Sequence, residues 1–445
     1  MNVQVRIAPS PTGYFHIGTA RTALFNYLFA KKHGGTFVLR IEDTDKARSK
    51  KEYEDDIYEE LHWLGFSFDE KYIQSQHVEK HKELLHKLID ADRAYVSKEP
   101  SKDDPARVVE VVRLRNPGRM ITFTDVIRGE ITFDTTELKD FVIARSTHDP
   151  LYHFAVVVDD GEAGITHIIR GEDHISNTPR QILIQEALGL TRPVYAHLPL
   201  ILMPDKSKMS KRKHETAIKD FRGKGYLPEA MINFLALLGW SPKGNVEVLS
   251  MDELIAQFEL ADIHKAGAIF NEEKLRWFNR EYLLRMPESD FASRALGILK
   301  ESLEKRVSWD DDIAKKIVPL LRERIAIWDD IRTQAEEGAF DYFFAQPDLE
   351  RASIPDKKST AAAALEHLAA VHAMLETIPE DSFIAEKVHE VLWPYATEKG
   401  RGAVLWPLRY SLSGREKSPD PFVLAGMLGK GETLARITAA HDILK

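Results

Sequence analysis

The first 41 residues of the chain place the tightest limits on its fold. Apolar and polar residues alternate over residues 2–7, which predicts a strand, and prolines and a glycine at residues 9–13 end it. Helical spacing of apolar residues follows over residues 17–32, and residues 37–41 are predicted to form a second strand. This order is the βαβ unit of a parallel sheet with helices on its faces. The sequence therefore predicts an α/β fold with a doubly wound parallel sheet.

The chain has 445 residues, more than one hydrophobic core usually organises, so two to four domains are expected. The formal charge of −9 predicts no overall attraction of nucleic acid, so any such contact must come from local basic patches. The absence of cysteine excludes disulfides and thiolate zinc sites. No apolar run approaches the about 20 residues of a membrane helix, and no targeting segment is apparent. We expect a cytosolic protein that is not inserted in a membrane.

Short segments with β propensity occupy the middle of the first half. They are predicted at residues 108–114, 121–127, 131–133 and 141–144. Together they indicate a small α+β subdomain inserted between the halves of the sheet. The apolar run at 154–158 is predicted to be a further buried strand of that sheet.

The character of the sequence changes near Pro242, and the last 135 residues have helical periodicity throughout. Helices are predicted over residues 313–338, 358–378 and 383–400. We therefore expect a mixed domain followed by an all-helical C-terminal domain.

A first group of candidate functional residues lies at Pro9 to Arg21, PSPTGYFHIGTAR. The loop delivers His16 and Thr19 to the start of the predicted helix, where free N–H groups and the helix dipole attract phosphate. Gly13 and Gly18 would let a ligand approach the backbone closely. Taken alone, the pattern fits a nucleotide site and a turn with an incidental histidine about equally well.

A second group lies at Pro204 to Lys213, PDKSKMSKRK. Residues 204–224 carry eight basic and three acidic side chains in a chain that is acidic overall. Lysines separated by small serines suit a loop that closes over a polyphosphate and stabilises charge on departing pyrophosphate. By composition alone, a solvated run of charge is the commoner explanation.

The two groups together resemble the class I aminoacyl-tRNA synthetases, whose signatures are written HIGH and KMSKS. RIAPSPTG at 6–13, RIEDTD at 40–45, IRGEDH at 169–174, DKSKMSKR at 205–212 and LPEAMINFLALLGW at 227–240 are similar to the bacterial glutamyl-tRNA synthetase family. The resemblance covers nearly all of the first 285 residues. Beyond residue 310 it is weaker and includes PLRYSLSG at 407–414.

Four features of the sequence depart from the patterns of this family and its class. Thr19 stands where the class signature ends in histidine, and Arg212 where it ends in serine; both changes are common in glutamyl enzymes. Many bacterial members carry a cysteine-rich zinc site about where Tyr95 to Pro105 stands here, and without cysteine we expect no zinc in that form. Some relatives have Asn at the position of Val156.

The resemblance implies a set of glutamate-binding residues. Arg6 would meet the side-chain carboxylate in a forked, charge-assisted pair that lysine could not reproduce. Ser10 and Glu42 would engage the ammonium group, Tyr152 would close the pocket, and Arg170 would lie near a substrate carboxylate. Without the resemblance, the less common alternatives are that Tyr152 is a core residue and that Glu42 is a helix cap.

The resemblance also implies a nucleotide site. His16, Lys208 and Lys211 are its predicted catalytic residues. The predicted ATP-binding residues are Pro9, Ser10, Pro11, Thr12, Gly13, His16, Gly18, Thr19, Asp173, Lys208, Ser210, Lys211 and Arg212. We expect Mg²⁺ to accompany ATP, held mostly by phosphates and water, and no metal ligands on the chain itself.

The activity implied is ATP-dependent ligation of L-glutamate to the 3′ end of tRNA(Glu) through a glutamyl-adenylate, by a monomer. The domains implied are a Rossmann-like catalytic domain (1–72 and 150–240), an inserted acceptor-binding subdomain (73–149), a stem-contact domain (241–310) and a helical anticodon-binding domain (311–445). The alternatives are an enzyme that also charges tRNA(Gln), a catalytically silent tRNA-binding paralogue, an enzyme that glutamylates a tRNA base, and a glutamine-specific enzyme. The helical C-terminal third disfavours the last two.

Overall fold

The computed structural model describes residues 2–101, 104, 106–207, 209, 216–244 and 246–445. The chain forms two compact units, Met1–Tyr282 and Leu283–Lys445. Within the described residues, no helix is long and apolar enough to cross a membrane.

The first unit begins with the predicted βαβ unit. Its elements are β1 (Gln4–Ile7), α1 (Ile17–Lys32), β2 (Thr36–Ile41), α2 (Lys51–Trp63) and β3 (Glu70–Ile73). The three strands are parallel, with β2 in the centre. Five of the six residues of β2 are buried, as expected of a strand covered by helices on both faces.

An antiparallel region follows. Its elements are α3 (Val78–Asp90), β4 (Ala94–Pro100), β5 (Val108–Leu114), β6 (Met120–Asp125), β7 (Gly129–Asp134), β8 (Val142–Ser146) and β9 (Asp149–Pro150). One sheet has the order β4-β5-β8-β9. The β6–β7 hairpin does not join it.

The chain then returns to the parallel region with α4 (Tyr152–Glu162), β10 (His167–Gly171), α5 (Thr178–Leu188) and β11 (Val194–Leu198). The strand order is β10-β11-β6-β7, so the β6–β7 hairpin extends this sheet. The Thr166 N–H donates to the Gln4 carbonyl at 2.9 Å, which brings the start of β10 beside β1. The order of the strands therefore changes direction between β1 and β10, with β2 and β3 following β1 on one side and β11 following β10 on the other.

The prediction of a strand at 154–158 is wrong, because these residues lie inside α4. All five are buried, and a short run buried on every side fits a helix as well as a strand. The residues of this helix that face the sheet include Asp160, which contacts Arg6 of β1 and Arg40 of β2.

Several further elements follow, the last of which runs past Tyr282, the final residue of the first unit. They are β12 (Ile201–Leu202), α6 (Ile218–Gly223), α7 (Pro228–Ala236), α8 (Met251–Gln257), β13 (Ala268–Ile269) and α9 (Glu272–Arg285), and β12 pairs with β13 in parallel.

The second unit is helical throughout its described residues. Its helices are α10 (Glu288–Leu303), α11 (Asp311–Arg324), α12 (Asp329–Glu336), α13 (Asp341–Phe344), α14 (Ala361–Glu376), α15 (Ala385–Lys399), α16 (Arg401–Ser413), α17 (Pro421–Leu428) and α18 (Lys430–Leu444). The predicted helix at 313–338 is two helices, since Ile325 is extended (φ −90°, ψ 147°) and ends α11. The predicted fold class, a parallel-sheet domain followed by helices, is confirmed.

Candidate active site

A crevice of about 440 Å³ opens where the carboxyl ends of β1 and β10 meet. Its walls come from the loop after β1, the first turn of α1 and the segment after β10. Neighbouring parallel strands whose connections run in opposite directions leave such a crevice, and ligands of open α/β sheets bind there. The fold alone therefore marks this crevice as the place for a ligand.

The crevice brings together most of the predicted site residues. The predicted residues that line it are Arg6, Pro9, Ser10, Thr12, Gly13, His16, Gly18, Thr19, Glu42, Tyr152, Arg170 and Asp173. Pro11 does not line it; it is buried in the loop, where its carbonyl accepts from the Lys50 N–H at 3.0 Å. The predicted Lys208, Ser210, Lys211 and Arg212 lie outside the described residues.

His16 is the N-cap of α1. Its Nδ1 accepts from the N–H groups of Gly18 (3.1 Å) and Thr19 (3.4 Å). The proton of the neutral ring therefore lies on Nε2, which is 3.1 Å from Thr19 Oγ1. A Cβ on Gly18 would lie 3.0 Å from the His16 ring, so a larger residue there would push the ring from its capping position by a few tenths of an ångström. The sequence predicted a phosphate donor, and the structure adds a helix cap that fixes which nitrogen can donate.

Both flanks of the lysine-rich segment are held at this crevice. The Ile17 N–H donates to the Thr216 carbonyl and the Ile218 N–H to the Phe15 carbonyl, each at 2.9 Å. On the other flank, the Met209 N–H donates to the Ile201 carbonyl at 3.3 Å, and both residues line the crevice. The first sequence group is thus joined by backbone pairing to residues 216–218, after the lysine-rich segment, while Met209 is joined to Ile201 of the same crevice.

A buried ion-pair cluster lies at the wall of the crevice that contains Arg6 and Glu42. Arg6 pairs with Val38 across β1 and β2, so Arg6, Arg40 and Glu42 project from one face of the sheet toward α4. Asp160 Oδ1 accepts from Arg6 Nε (3.1 Å) and from an Arg40 terminal nitrogen (2.5 Å). Arg40 also donates to Glu42 Oε1 at 3.0 and 3.3 Å. One buried arginine thus contacts both carboxylates.

The electrostatics of this cluster differ between its two acids. Burial alone would raise the pKa of Asp160, but Arg40 and Arg6 outweigh it and hold this pKa below its usual range. Burial raises the pKa of Glu42, and Arg40 opposes that rise only in part. Asp160 is therefore firmly anionic, whereas Glu42 would gain from a second cation at its carboxylate.

The sequence reasoning missed Arg40 and Asp160. Arg40 had a detectable signal, because a charged residue inside an otherwise apolar strand requires a buried partner. Asp160 had no comparable signal, because the strand predicted at 154–158 ends before it, whereas Asp160 lies inside α4.

Asp159 faces the other way from Asp160. It accepts from Tyr72 (2.9 Å) and Gln74 (2.6 Å), and its Oδ1 lies 2.5 Å from His81 Nε2. His81 is thus the partner of a buried carboxylate. No group of three potential metal ligands occurs among the described residues.

Arg170 is held differently from Arg6. Its Nε donates to His197 Nε2 (3.1 Å) and a terminal nitrogen donates to Thr178 Oγ1 (2.9 Å). Its other terminal nitrogen, NH1, is buried and has no hydrogen-bond partner among the described residues. Burial, and then the charge of Arg6, lower the pKa of Arg170. The sequence reasoning missed His197.

The remaining predicted residues lie at the rim. Tyr152 starts α4 with its side chain partly exposed, and its hydroxyl is 3.4 Å from His174 Nδ1. Asp173 is exposed, and its carboxylate lies over Gly171, where a Cβ would clash with it. Val156 is buried in α4 and does not line the crevice.

Comparison with known families accounts for both units. Residues 2–104 and 98–277 match the family described as “tRNA synthetases class I (E and Q), catalytic domain”. Residues 290–441 match the family described as “Anticodon binding domain”. The crevice and its two signature segments lie in the first match, and the helical unit contains the second.

Individual relatives match the chain from end to end. The chain is 38% identical to a glutamate–tRNA ligase of Thermodesulfovibrio yellowstonii, over 99% of each chain. It is 39% identical to glutamate–tRNA ligase 1 of Syntrophus aciditrophicus, over 98% of this chain and 96% of that one. A crystal structure of a glutamate tRNA ligase from Elizabethkingia meningosepticum in complex with its amino acid superimposes with a TM-score of 0.85 at 34% identity, covering 100% of both chains. The chain belongs to the glutamate–tRNA ligase family of class I tRNA synthetases, and the resemblance predicted from the sequence is confirmed.

Proposed function

We propose that this protein ligates L-glutamate to the 3′ end of tRNA(Glu) at the expense of ATP. In the first step an α-carboxylate oxygen of glutamate attacks the α-phosphorus, the bond to pyrophosphate breaks, and glutamyl-adenylate forms. In the second step a hydroxyl of the terminal tRNA adenosine attacks the activated carbonyl carbon and AMP leaves. The observation that carries this proposal is a single crevice with buried arginines at one end and a capped helix N-terminus at the other.

The arginine end would bind glutamate. The two terminal nitrogens of Arg6 make no hydrogen bond within the part of the chain that the structure describes, since Arg6 contacts Asp160 through Nε alone. They suit the forked recognition of the side-chain carboxylate. Glu42 and Ser10 would take the ammonium group, which would supply the second cation that Glu42 favours. Tyr152 would close the pocket, and Arg170 would lie near a substrate carboxylate.

This arrangement would also reject glutamine. The amide of glutamine carries no charge to neutralise Arg6, and a site left with unpaired buried polar groups can reject an analogue by about 10⁴. Arg6 is itself fixed by Asp160, so it cannot turn away to find another acceptor.

The helix end would bind ATP. The loop residues Pro9 to Gly13 would cradle the nucleotide with Gly18, Thr19 and Asp173, and His16 would donate to a phosphate oxygen from Nε2. Lys208 and Lys211 would stabilise charge on the departing pyrophosphate, assisted by Ser210 and Arg212. Catalysis on this scheme is positioning plus charge stabilisation, without a covalent enzyme intermediate.

Mg²⁺ would enter with the nucleotide. The described residues contain no group of three histidine, aspartate or glutamate side chains that could hold a metal, so phosphate oxygens and water would supply most of its ligands.

The second unit would read the tRNA anticodon, as the matched domain description suggests. We keep the predicted domain boundaries, the monomeric state, action in the cytosol and selectivity for tRNA(Glu) over tRNA(Gln) as parts of this proposal.

A charging assay with labelled amino acid, ATP and the two purified tRNAs tests the proposal. We expect glutamyl-tRNA(Glu) with release of AMP and pyrophosphate, and no comparable product with glutamine. If glutamate were attached to both tRNAs at similar rates, the proposed selectivity for tRNA(Glu) would be wrong. The proposed ligation chemistry would stand. Binding of tRNA without any charging would contradict the proposal and favour a silent paralogue.

A further inference from the structure

Arg170 has neutral hydrogen-bond partners, whereas Arg6 and Arg40 have acidic ones. Arg6 and Arg40 contact Asp160, and Arg40 also contacts Glu42, within 2.5 to 3.1 Å. Arg170 donates only to an imidazole and a hydroxyl and, within the described ranges, forms no ion pair with a carboxylate. The charge of Arg170 is therefore available to an anionic ligand, whereas the charge of Arg40 is neutralised by Asp160 and Glu42.

The hydrogen bonds of His197 determine where its proton lies. A guanidinium nitrogen can only donate, so His197 Nε2 must accept from Arg170 Nε at 3.1 Å. The Nδ1 atom must then carry the proton, and it lies 2.6 Å from Asp125 Oδ2. Thr178 Oγ1, which is 3.3 Å from Nε2, donates instead to the His174 carbonyl at 3.2 Å. Only the neutral ring protonated on Nδ1 satisfies all of these contacts.

Asp125 is itself rigidly held. It ends β6, and its carboxylate accepts from the N–H groups of Ile127 (3.0 Å), Arg128 (2.8 Å) and His197 (3.0 Å). Burial would raise the pKa of Asp125, but the bond from His197 and the backbone donors outweigh it and lower this pKa. Asp125 and His197 are both fully buried, so water cannot take the place of either partner.

We propose that Asp125 and His197 are positioning residues for glutamate binding. Asp125 fixes the imidazole in the Nδ1-protonated form, His197 fixes the plane of the Arg170 guanidinium through Nε, and the unpartnered NH1 is left to a carboxylate of the substrate. The inference rests on the proposed function of the crevice. It also means that the β6–β7 hairpin, which pairs with β11 at the edge of the sheet, shapes the amino-acid site without touching it.

Asp125→Asn tests the tautomer directly. The amide oxygen keeps the N–H donors of Ile127 and Arg128, so the amide nitrogen takes the place of Oδ2, where it opposes the His197 N–H and donates to His197 Nδ1. The ring proton then moves to Nε2, where it opposes the donor on Arg170. Loss of the outer partner of a metal-ligating histidine typically costs 10- to 100-fold, and we expect a comparable loss for the histidine that orients Arg170. We expect KM for glutamate in tRNA charging to rise by about that factor, with KM for ATP within about twofold of wild type.

Two isosteric changes at His197 keep the inference testable if Asp125→Asn folds poorly. His197→Gln places a carbonyl oxygen near the position of Nε2 and can still accept from Arg170. His197→Asn places its amide near Nδ1 and cannot reach Arg170. We expect KM for glutamate to stay near wild type in the first variant and to rise about 10-fold or more in the second. Tyr195→Phe is the control, because its hydroxyl contacts Gln185 and its ring stays stacked on His197.

The tautomer has its own spectroscopic readout. In protein labelled with ¹⁵N-histidine, the His197 signal, assigned by its absence from His197→Gln, should be that of an Nδ1-protonated ring in wild type and of an Nε2-protonated ring in Asp125→Asn. A wild type that charges tRNA with glutamate while both His197 variants keep its KM for glutamate would overturn the positioning role and leave the proposed function intact. A wild type that fails to charge would count against the proposed function instead.

Discussion

The two ends of the crevice are built on different physical principles. At the glutamate end, Arg6, Arg40 and Asp160 are at least 95% buried and ion-paired, and they stand on strands and a helix. At the nucleotide end, the groups are loop backbone, the capped start of α1 and the paired flanks of the lysine-rich segment. A buried charge network is costly to rearrange, whereas a loop and a helix end offer donors that follow a polyphosphate.

This difference predicts where substitutions act. Changes at the glutamate end should raise KM for glutamate and spare ATP, because the buried network defines one substrate group. Changes at the nucleotide end should slow the formation of the adenylate, because donors there act on charge that develops during the reaction.

The largest effect is expected from Arg6→Gln. The side-chain carboxylate of glutamate would lose its forked donor, so kcat/KM for glutamate should fall by about 10⁴, while KM for ATP stays within a few fold. Charging kinetics with each substrate varied in turn measure both. If kcat/KM fell equally for glutamate and for ATP, Arg6 would serve the nucleotide. The two ends of the crevice would then not differ in the way described.

Lys211→Ala should lower the rate of adenylate formation. Removing one donor to the developing pyrophosphate charge should slow adenylate formation by about 10² or more at saturating glutamate and ATP. Single-turnover measurements with bound tRNA test this expectation. An unchanged rate would show that the lysine-rich segment does not serve the phosphates.

Arg40→Met removes the charge that orients both acids of the glutamate end. Glu42 and Asp160 would lose their shared donor, so KM for glutamate should rise by about 10- to 100-fold with little change for ATP. Arg40→Lys keeps the charge but cannot reach both acids, and it should fall between wild type and Arg40→Met. Wild-type kinetics in both variants would show that the cluster is structural only.

Glu60 of α2 contrasts with Glu42, because it is buried without a hydrogen bond among the described residues. Arg222, in the helix after the lysine-rich segment, lies 3.2 Å away. Burial raises the pKa of Glu60 to about 7. The folded state then keeps a proton that the unfolded state loses near its ordinary value of 4.5, so stability from this group is lost as pH rises from there through 7.

Glu60→Gln should therefore stabilise the first unit above pH 7 by about 1 to 3 kcal/mol and make little difference near pH 4.5. Melting midpoints of both proteins across this pH range measure the effect. If the difference between the two melting midpoints did not change with pH, Glu60 would be ionised across the whole range.

The smallest effect concerns the helix cap. His16→Ala should remove about 1 kcal/mol, or about 2 to 4 °C of melting midpoint, because two N–H groups of α1 lose their acceptor. His16→Asn keeps a capping acceptor and should melt near wild type, yet it lacks Nε2 and should activate glutamate as poorly as His16→Ala. Full activity in His16→Asn would reduce His16 to a cap.

Local patterns in the sequence predicted part of this architecture. Periodicity predicted β1, α1 and β2, because each is a regular element with clear stop signals. It failed at 154–158, where five buried apolar residues carry no period that separates strand from helix. The β6–β7 hairpin was recognised as two strands, but its pairing with β11 depends on contacts far along the chain.

The residues of the site also divide into those that local motifs predict and those that depend on contacts far along the chain. Residues inside signature motifs, such as Arg6, His16 and Glu42, were predicted because their spacing resembles a family. Arg40 to Asp160 spans 120 residues and Asp125 to His197 spans 72, and no local pattern connects such partners. The residues that hold the site in shape were therefore found only in the folded structure.

The most direct test of the account is a crystal structure with a nonhydrolysable glutamyl-adenylate analogue. We predict that its side-chain carboxylate contacts the terminal nitrogens of Arg6, its ammonium group contacts Glu42, and its phosphate lies at the start of α1 within reach of His16 Nε2. An analogue bound in the reverse direction, with its phosphate on Arg6, or bound outside the crevice, would contradict the account.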